Sequence, residues 1–556
     1  MPPLRLLALP FVMAVAGCQE NTRPEPPLED PLLVVARYVC DNGFDLESIS
    51  PVPVTLQYEV VGTSEQGELL LPPASTTRLV TLQHGALRVH QGNELTQVDN
   101  LANACPPPST PPAPETLVGE WAEPFPWPSV AVHLHLLPDG RVLSWGALGQ
   151  PQIWDPATGE FTTVGSSSQL FCSGHAFLPD GRLLVTGGHI TDHHGLPDAN
   201  VFDPATETWT AVSPMSRGRW YPSSVTLPDG GVLTLAGRDQ MGTEVEVPEV
   251  WAGGTWRQLA GAARALPYYP RAFAAPNGMV FYAGELKQSA YLDVNGEGRW
   301  IPVAASNYGR RDYGSAVMYR PGKVMIVGGS EPPEGPPTRS AEIIDLGETS
   351  PSWRYTDPMH YARRQFNTTL LPDGRVLATG GTRAGGFSDP AGAVHAAEVW
   401  DPASGRWSLL ADNRVTRVYH STTILLPDGR ILHTGSGDGA ELPRELNAEV
   451  FSPPYLFRGV RPSVSGAPGA VAYGQQFFVA TPDAGQVVRA TLMRLGSTTH
   501  GFDQNQRFLE LTLARSAGGL TLAAPSGPNL APPGHYLLFV LDSDGVPSVG
   551  LVLRLN

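Results

Sequence analysis

A tetrapeptide turn recurs seven times through this 556-residue chain, and no other feature narrows the fold as far. It reads Leu-Pro-Asp-Gly ending at Gly140, Gly181, Gly230, Gly374 and Gly429. Variants end at Gly278 (Ala-Pro-Asn-Gly) and Gly322 (Tyr-Arg-Pro-Gly). Successive glycines lie 41 to 55 residues apart. Proline presets φ for a tight turn and glycine accepts the positive φ that closes it, so each copy joins two antiparallel strands. A short apolar or Ser/Thr run precedes each turn, and a second strand follows, usually ending in small residues such as Gly187-Gly188. Most copies add a third and fourth strand, as in Val201 to Trp209 and Val399 to Trp407. Four short strands every forty to fifty residues predict one propeller blade, and seven copies predict seven blades. An apolar period of two argues against a helical solenoid.

The flanks read differently. Leu6 to Gly17 is apolar, too short to span a bilayer as a helix, and ends in Val15-Ala16-Gly17-Cys18. This is similar to a bacterial lipoprotein signal over residues 1–18, with Cys18 lipidated after cleavage; a plain secretory peptide is the alternative. Either places the protein outside the cytoplasm, anchored in an (outer) membrane by its lipid or secreted. Residues 19–30 are polar and Pro-rich and read as a tether. Residues 31–105 alternate in strand fashion, with Val52, Val54, Leu56, Tyr58 and Val60 on one face, and predict a small β-sandwich. Export favours disulfides, and Cys40 and Cys105 bracket this segment as a natural pair. Cys172 is then left over. Pro-rich residues 106–117 predict a stiff linker, 118–457 the propeller, and 458–556 a C-terminal Ig-like sandwich. The fold class is all-β. Charged residues make up only 16% with a net charge of -16, which argues against a nucleic-acid partner.

Inner strands of a propeller line its axis, so the residues just upstream of each turn are the ones that converge. Cys172, Tyr221 and His420 each stand six residues before the residue that opens their turn, and Tyr419 precedes His420. A thiol, a phenol and a phenol–imidazole pair are thus expected at one axial spot. Tyr269 and Tyr313 hold the same place in their own copies, so aromatic packing of the axis is the plain alternative. His189, Asp192, His193 and His194 cluster after a Gly-Gly pair and read more readily as a solvated loop than as a metal site. Arg310 and Arg311 are as much surface residues as substrate contacts.

The Gly-Gly pairs and following aromatics resemble Kelch repeats. Beyond them, four stretches resemble the copper-radical oxidases, galactose oxidase and especially glyoxal oxidase: Phe171 to Gly174, Arg219 to Ser224, Arg417 to Ser421 and Thr498 to Arg507. Phe451 to Phe457 and Arg461 to Ser463 extend the resemblance, which runs from about Glu120 to Asn556. It implies a thioether between Cys172 and Tyr221, which accounts for the leftover thiol. It implies one copper ion held by Tyr221, Tyr419, His420 and His500, with His500 delivered by a C-terminal hairpin. Tyr221 would be the radical-bearing group and Tyr419 the base. The donor set suits copper, although the same ligands could hold another metal such as iron. One copper exchanges one electron while the oxidation needs two, so an easily oxidised tyrosine is the needed second store.

Galactose oxidase stacks a tryptophan on its thioether from a Gly-Gly-Ser-Trp run. The corresponding run here is Ala236-Gly237-Arg238-Asp239, with Asp239 at that place and Trp220 nearby in sequence. This favours a glyoxal-oxidase-like enzyme, a monomer acting on a small aldehyde or alcohol with dioxygen and releasing hydrogen peroxide. The rival reading is a non-catalytic cell-surface Kelch propeller that binds a protein or glycan.

Overall fold

The computed structural model describes residues 34–38, 43–48, 50, 52–81, 86–91, 94–98, 114–439 and 442–556. The chain divides into two compact units, residues 1–111 and 112–556. The leader, Cys18, the tether, Cys40 and Cys105 lie outside the described residues.

In the first unit a three-stranded antiparallel sheet places Gly43–Ser48 between Val34–Tyr38 and Thr76–Val80. A four-stranded sheet runs Gln66–Leu71, Val54–Val60, Leu87–Gln91, Glu94–Val98. Phe44, Leu46, Leu56, Leu71 and Leu87 form its buried core. Val54, Leu56 and Val60 turn inward as the alternation predicts, because successive strand side chains point to opposite faces. Val52 does not: it precedes the strand and is 60% exposed.

In the second unit seven antiparallel sheets follow one another in chain order. Their first strands are His133–Leu136, Gly174–Phe177, Ser223–Thr226, Arg271–Ala274, Ser315–Arg320, Asn367–Leu370 and Ser421–Leu425. Each runs into one of the seven turns, whose glycines have φ between 74° and 94°. The Asp or Asn accepts the backbone N–H two residues on, as Asp180 does from Arg182 at 3.1 Å. That bond explains why the turn carries an Asx residue. From the second sheet to the seventh, each first strand packs on the next, and the last packs on the first sheet's His133–Leu136. The seventh sheet takes its outer strand from the start of the unit: Glu120–Trp121 pairs with Phe451 and Ser452. Of the predicted linker, Pro114 onward is not extended. Pro114–Val118 is a short helix that packs on the strand Arg406–Asp412 and the turn Pro454–Phe457.

Four sheets repeat one buried ion pair. Arg219, Arg311, Arg363 and Arg417 pair with Glu249, Glu342, Glu398 and Glu449 on the third strands, and every partner is at most 3% exposed. Each guanidinium also donates to the carbonyl that ends its second strand or starts the following turn, such as Gly380 O at 2.9 Å from Arg363. Arg311 is therefore a structural residue and not a substrate contact. Removing one partner strands a buried charge. Arg363→Ala is expected to cost about 3–5 kcal/mol. A clear drop in the thermal midpoint should report it; an unchanged midpoint would mean that the His360 and Tyr361 donors already satisfy Glu398.

The C-terminal residues form a five-stranded sheet and a three-stranded sheet around their own apolar core, which includes Phe477, Leu492, Leu522 and Leu538. Their strands include Gln476–Ala480, Val487–Arg494, Phe508–Leu511, Gly519–Ala523 and Gly534–Asp542. One hairpin leaves this core. Its strand Ser497–Thr499 pairs with His133 to His135 of the first sheet and also packs against the first strands of the second and seventh sheets.

Candidate metal centre

The backbone marks the site before the side chains do. Cys172, Tyr221, Tyr269, Tyr313, Gln365 and His420 occupy one repeat position, six residues before the turn. All have positive φ: 63°, 65°, 46°, 50°, 55° and 68°. Non-glycine residues rarely adopt this conformation, and each instance costs on the order of 1–3 kcal/mol. The seventh sheet differs by one residue. Its paired arginine, Arg417, stands three places before the positive-φ residue instead of two, which lets two neighbours, Tyr419 and His420, share the site. His500 also has positive φ, 47°, at the tip of the C-terminal hairpin. A Cβ on the next residue, Gly501, would meet the Phe366 carbonyl oxygen closer than any real contact, so the tip has no room for a side chain there.

The side chains expected at one spot are at one spot. Tyr221 Oη lies 2.5 Å from Tyr419 Oη and 3.4 Å from His420 Nε2. The His500 ring lies 4.5 Å from that of Tyr221, 4.8 Å from His420 and 5.7 Å from Tyr419. Tyr269 stacks on the outer side of His500 at 4.5 Å.

Hydrogen bonds preset both imidazoles. His420 Nδ1–H donates to Gly437 O at 2.7 Å. Thr499 Oγ1 gives its own hydrogen to Val132 O at 2.9 Å, so it accepts from His500 Nδ1–H at 2.7 Å. Each ring is left with its lone pair on Nε2, and second partners of this kind commonly orient metal-bound histidine. His500 Nε2 is buried with no hydrogen-bond partner among the described residues, a state that costs about 1–3 kcal/mol unless something fills it. Burial holds His420 down to about 3 and His500 well below the ordinary value, so both are neutral. Burial also pushes the Tyr221 and Tyr419 phenols well up, which means that phenolates here require a positive charge between them. Two imidazole nitrogens and two phenol oxygens suit Cu(II). Among the described residues no group of three His, Cys, Asp or Glu could hold a metal, so the phenols are essential to any such site.

Cys172 is a free, fully buried thiol within an apolar cluster with Phe171, Trp220, Tyr221 and Tyr269. Tyr221 N–H donates to Cys172 O at 2.9 Å. Burial pushes the thiol well up, opposed by hydrogen bonding to Tyr221.

Asp239 does not face the tyrosine as a stacking group. Its carboxylate is held by Arg217 and by the N–H groups of Met241 and Thr243. Trp220 does the stacking. Its ring lies 3.7 Å from that of Tyr221 and within 6° of parallel. The missing tryptophan is therefore supplied by the residue next to the tyrosine itself. Its Nε1–H donates to His189 Nδ1 at 3.1 Å. His193 Nδ1 shares a 3.0 Å hydrogen bond with Tyr268 Oη, and His194 Nδ1 bonds Asp192 O. His189 and His193 thus brace Trp220 and Tyr268, His194 bonds within its own loop, and the three gather no common metal position among the described residues. Arg310 lines the cavity but is tied to Glu285.

A cavity of about 610 Å³ opens over the four donors. Gln365, Trp220 and Phe387 are residues that sequence reasoning either passed over or could not place. Gln365 was recoverable from its repeat position. Phe387 sits in a loop with no local signal.

The chain matches the family model described as glyoxal oxidase N-terminus over residues 151–455, and that described as galactose oxidase-like, early set domain, over residues 461–555. It is 30% identical over 495 residues to galactose oxidase of Gibberella zeae, covering 80% of this chain and 72% of that one. It is 30% identical over 480 residues to the aldehyde oxidase GLOX of Vitis pseudoreticulata, covering 76% and 89%. Among solved structures, a fungal alcohol oxidase of the AA5 family in complex with copper aligns with a TM-score of 0.72 at 25% identity, covering 79% of this chain and all of that one.

Proposed function

This chain belongs to the copper-radical oxidase family of galactose oxidase and glyoxal oxidase, and on that premise we propose that it oxidises an aldehyde hydrate or a primary alcohol with dioxygen. The products are the acid or the aldehyde, respectively, plus hydrogen peroxide. The observation that carries this reading is the convergence of His420 Nε2, the His500 Nε2 that has no hydrogen-bond partner among the described residues, and the Tyr221 and Tyr419 hydroxyls.

Copper held by these four residues would supply one-electron redox chemistry and Lewis acidity. Tyr419 Oη is the base that takes the substrate hydroxyl proton. Tyr221 is the second one-electron store. Cys172 Sγ bonds to the Tyr221 ring with loss of the S–H and one ring C–H hydrogen, and dioxygen takes up the electrons. Trp220 covers the ring of Tyr221 and keeps water from that face. Alternating neutral imidazoles and phenols leave no fixed charge at the centre except what the metal brings.

The seven sheets are read as blades of a Kelch-type propeller over 118–457. Residues 458–556 are read as an Ig-like domain that plugs it and lends His500. The small β-domain, closed by Cys40–Cys105, would space the enzyme from a Cys18 lipid anchor outside the cytoplasm.

Loading the purified chain with copper(II) in air should lower the intact mass by two hydrogens. Peroxide should then form with methylglyoxal faster than with galactose. A chain that takes up no copper and yields no peroxide would be a binding propeller.

A further inference from the structure

We infer that His133, His175 and Ser497 position Cys172 for its cross-link to Tyr221, by tying the Cys172 backbone to the hairpin that carries His500. This rests on the oxidase reading above and adds residues that none of its steps uses.

The backbone around the axis shows where such a tie is needed. Tyr221, Tyr269 and Gln365 each donate their N–H to the carbonyl of the corresponding residue one sheet earlier, Cys172, Tyr221 and Tyr313, at 2.9, 3.0 and 2.9 Å. Cys172 breaks this pattern. Its N–H donates to a side chain, Nε2 of His133, at 3.2 Å. Cys172 also stands at φ 63°, a conformation that persists only where the surroundings hold it. His133 is therefore the first sheet's hold on the residue whose thiol must meet the Tyr221 ring.

The hold continues into the hairpin along a chain of hydrogen bonds whose direction is fixed. Burial keeps His133, His135 and His175 well below the ordinary histidine value, His175 at about 3, so each ring is neutral and carries one N–H. His133 accepts at Nε2 and so donates from Nδ1 to His175 Nε2 at 3.2 Å. His175 then donates from Nδ1 to Ser497 Oγ at 2.6 Å, and Ser497 gives its own hydrogen to His135 Nδ1 at 2.9 Å. The chain ends at His135 Nε2–H, buried and without a hydrogen-bond partner among the described residues. Trp145 stacks on His133 at 5.0 Å and on His135 at 4.4 Å and fixes the planes of both rings. Ser497 lies three residues before His500, and Gln504, on the return of the same hairpin, accepts the His175 N–H at 3.2 Å. One docking of the hairpin thus sets both His500 and the backbone of Cys172. The link itself forms one C–S bond, breaks the S–H bond and one ring C–H bond, and passes two electrons and two protons to dioxygen as hydrogen peroxide. Its rate depends on where the thiol is held, because small misplacements of reacting groups cost orders of magnitude.

The test follows the full chain by intact mass after copper(II) is added in air, with copper affinity measured alongside. His133→Phe keeps a ring against Trp145 but offers no lone pair to the Cys172 N–H, whereas His133→Gln can offer its amide oxygen. The loss of two hydrogens should slow by at least about tenfold in His133→Phe, slow less in Ser497→Ala, and recover most of the parent rate in His133→Gln. Copper affinity should stay within about twofold of the parent's in all three, because none of the four donors is changed. Unchanged linking in His133→Phe would overturn the positioning role. So would linking and affinity that fall together with no rescue by glutamine. Deuterium uptake by the copper-free chain is the second measurement: the Cys172 amide should exchange about tenfold faster in His133→Phe than in the parent. If the parent never loses two hydrogens, the oxidase reading falls; faster exchange in His133→Phe then keeps His133 as the hold on Cys172, and equal exchange removes it.

Discussion

Tyr221→Phe is expected to abolish peroxide production, with a loss of about 10³-fold or more, and to leave the copper-treated chain at its unlinked mass. The substitution removes one oxygen and little else. Phenylalanine keeps the ring that lies 3.7 Å from Trp220, so the apolar cluster around Cys172 retains its packing. The hydroxyl that is lost touches Tyr419 Oη at 2.5 Å and His420 Nε2 at 3.4 Å. Without it, one of four donors disappears and the remaining ring is far harder to oxidise. Neither the proposed thioether nor the proposed second electron store could then form. Peroxide yield and intact mass are read on one sample, and thermal denaturation confirms that the variant is folded. A Tyr221→Phe protein that still cross-links, or still turns over at the parent rate, would remove Tyr221 from the mechanism.

Tyr419→Phe should separate binding from proton transfer. Loss of a positioned base typically lowers kcat by about 10²–10⁴-fold. KM should move much less, because Phe387 and Trp220 still form the walls. Three donors remain, so copper should stay bound and the Cys172–Tyr221 link should still appear by mass. The residual rate should climb with pH as hydroxide takes over the proton. Equal losses of copper and activity would instead make Tyr419 a ligand alone. Its neighbour predicts a different outcome. His420 presents a lone pair fixed by the Gly437 carbonyl, and its loss should be felt first in copper affinity.

The two members of the Tyr419–His420 pair differ because the seventh sheet carries one residue more between its buried arginine and its positive-φ residue than the three other sheets that carry such an arginine. That extra residue is visible in the sequence once the buried arginines are aligned, yet the arginines become a reference only when Glu449 and its counterparts are seen to face them. The site residues were legible because the turns are legible. Pro-Asp-Gly has few conformations to choose from, and counting back six residues from it crosses a single short strand. Trp220 was not legible in the same way. Its position beside Tyr221 was evident, but adjacent residues in extended chain point apart. Only the left-handed turn at Tyr221, φ 65°, brings the two rings parallel. Asp239 likewise looked like a departure at the centre, and its carboxylate proves to close a local turn.

The sequence by itself determined the seven-fold succession of short strands, their turns and the identity of the converging residues, since each follows from contacts within a few residues and from the restricted backbone of proline and glycine. The tertiary structure alone decided which lone pair each imidazole presents, which ring covers Tyr221 and what lines the cavity. Thr499 with Val132, Trp220 with His189 and Phe387 with Tyr419 meet only because distant strands pack together. The centre sits where those long-range contacts accumulate.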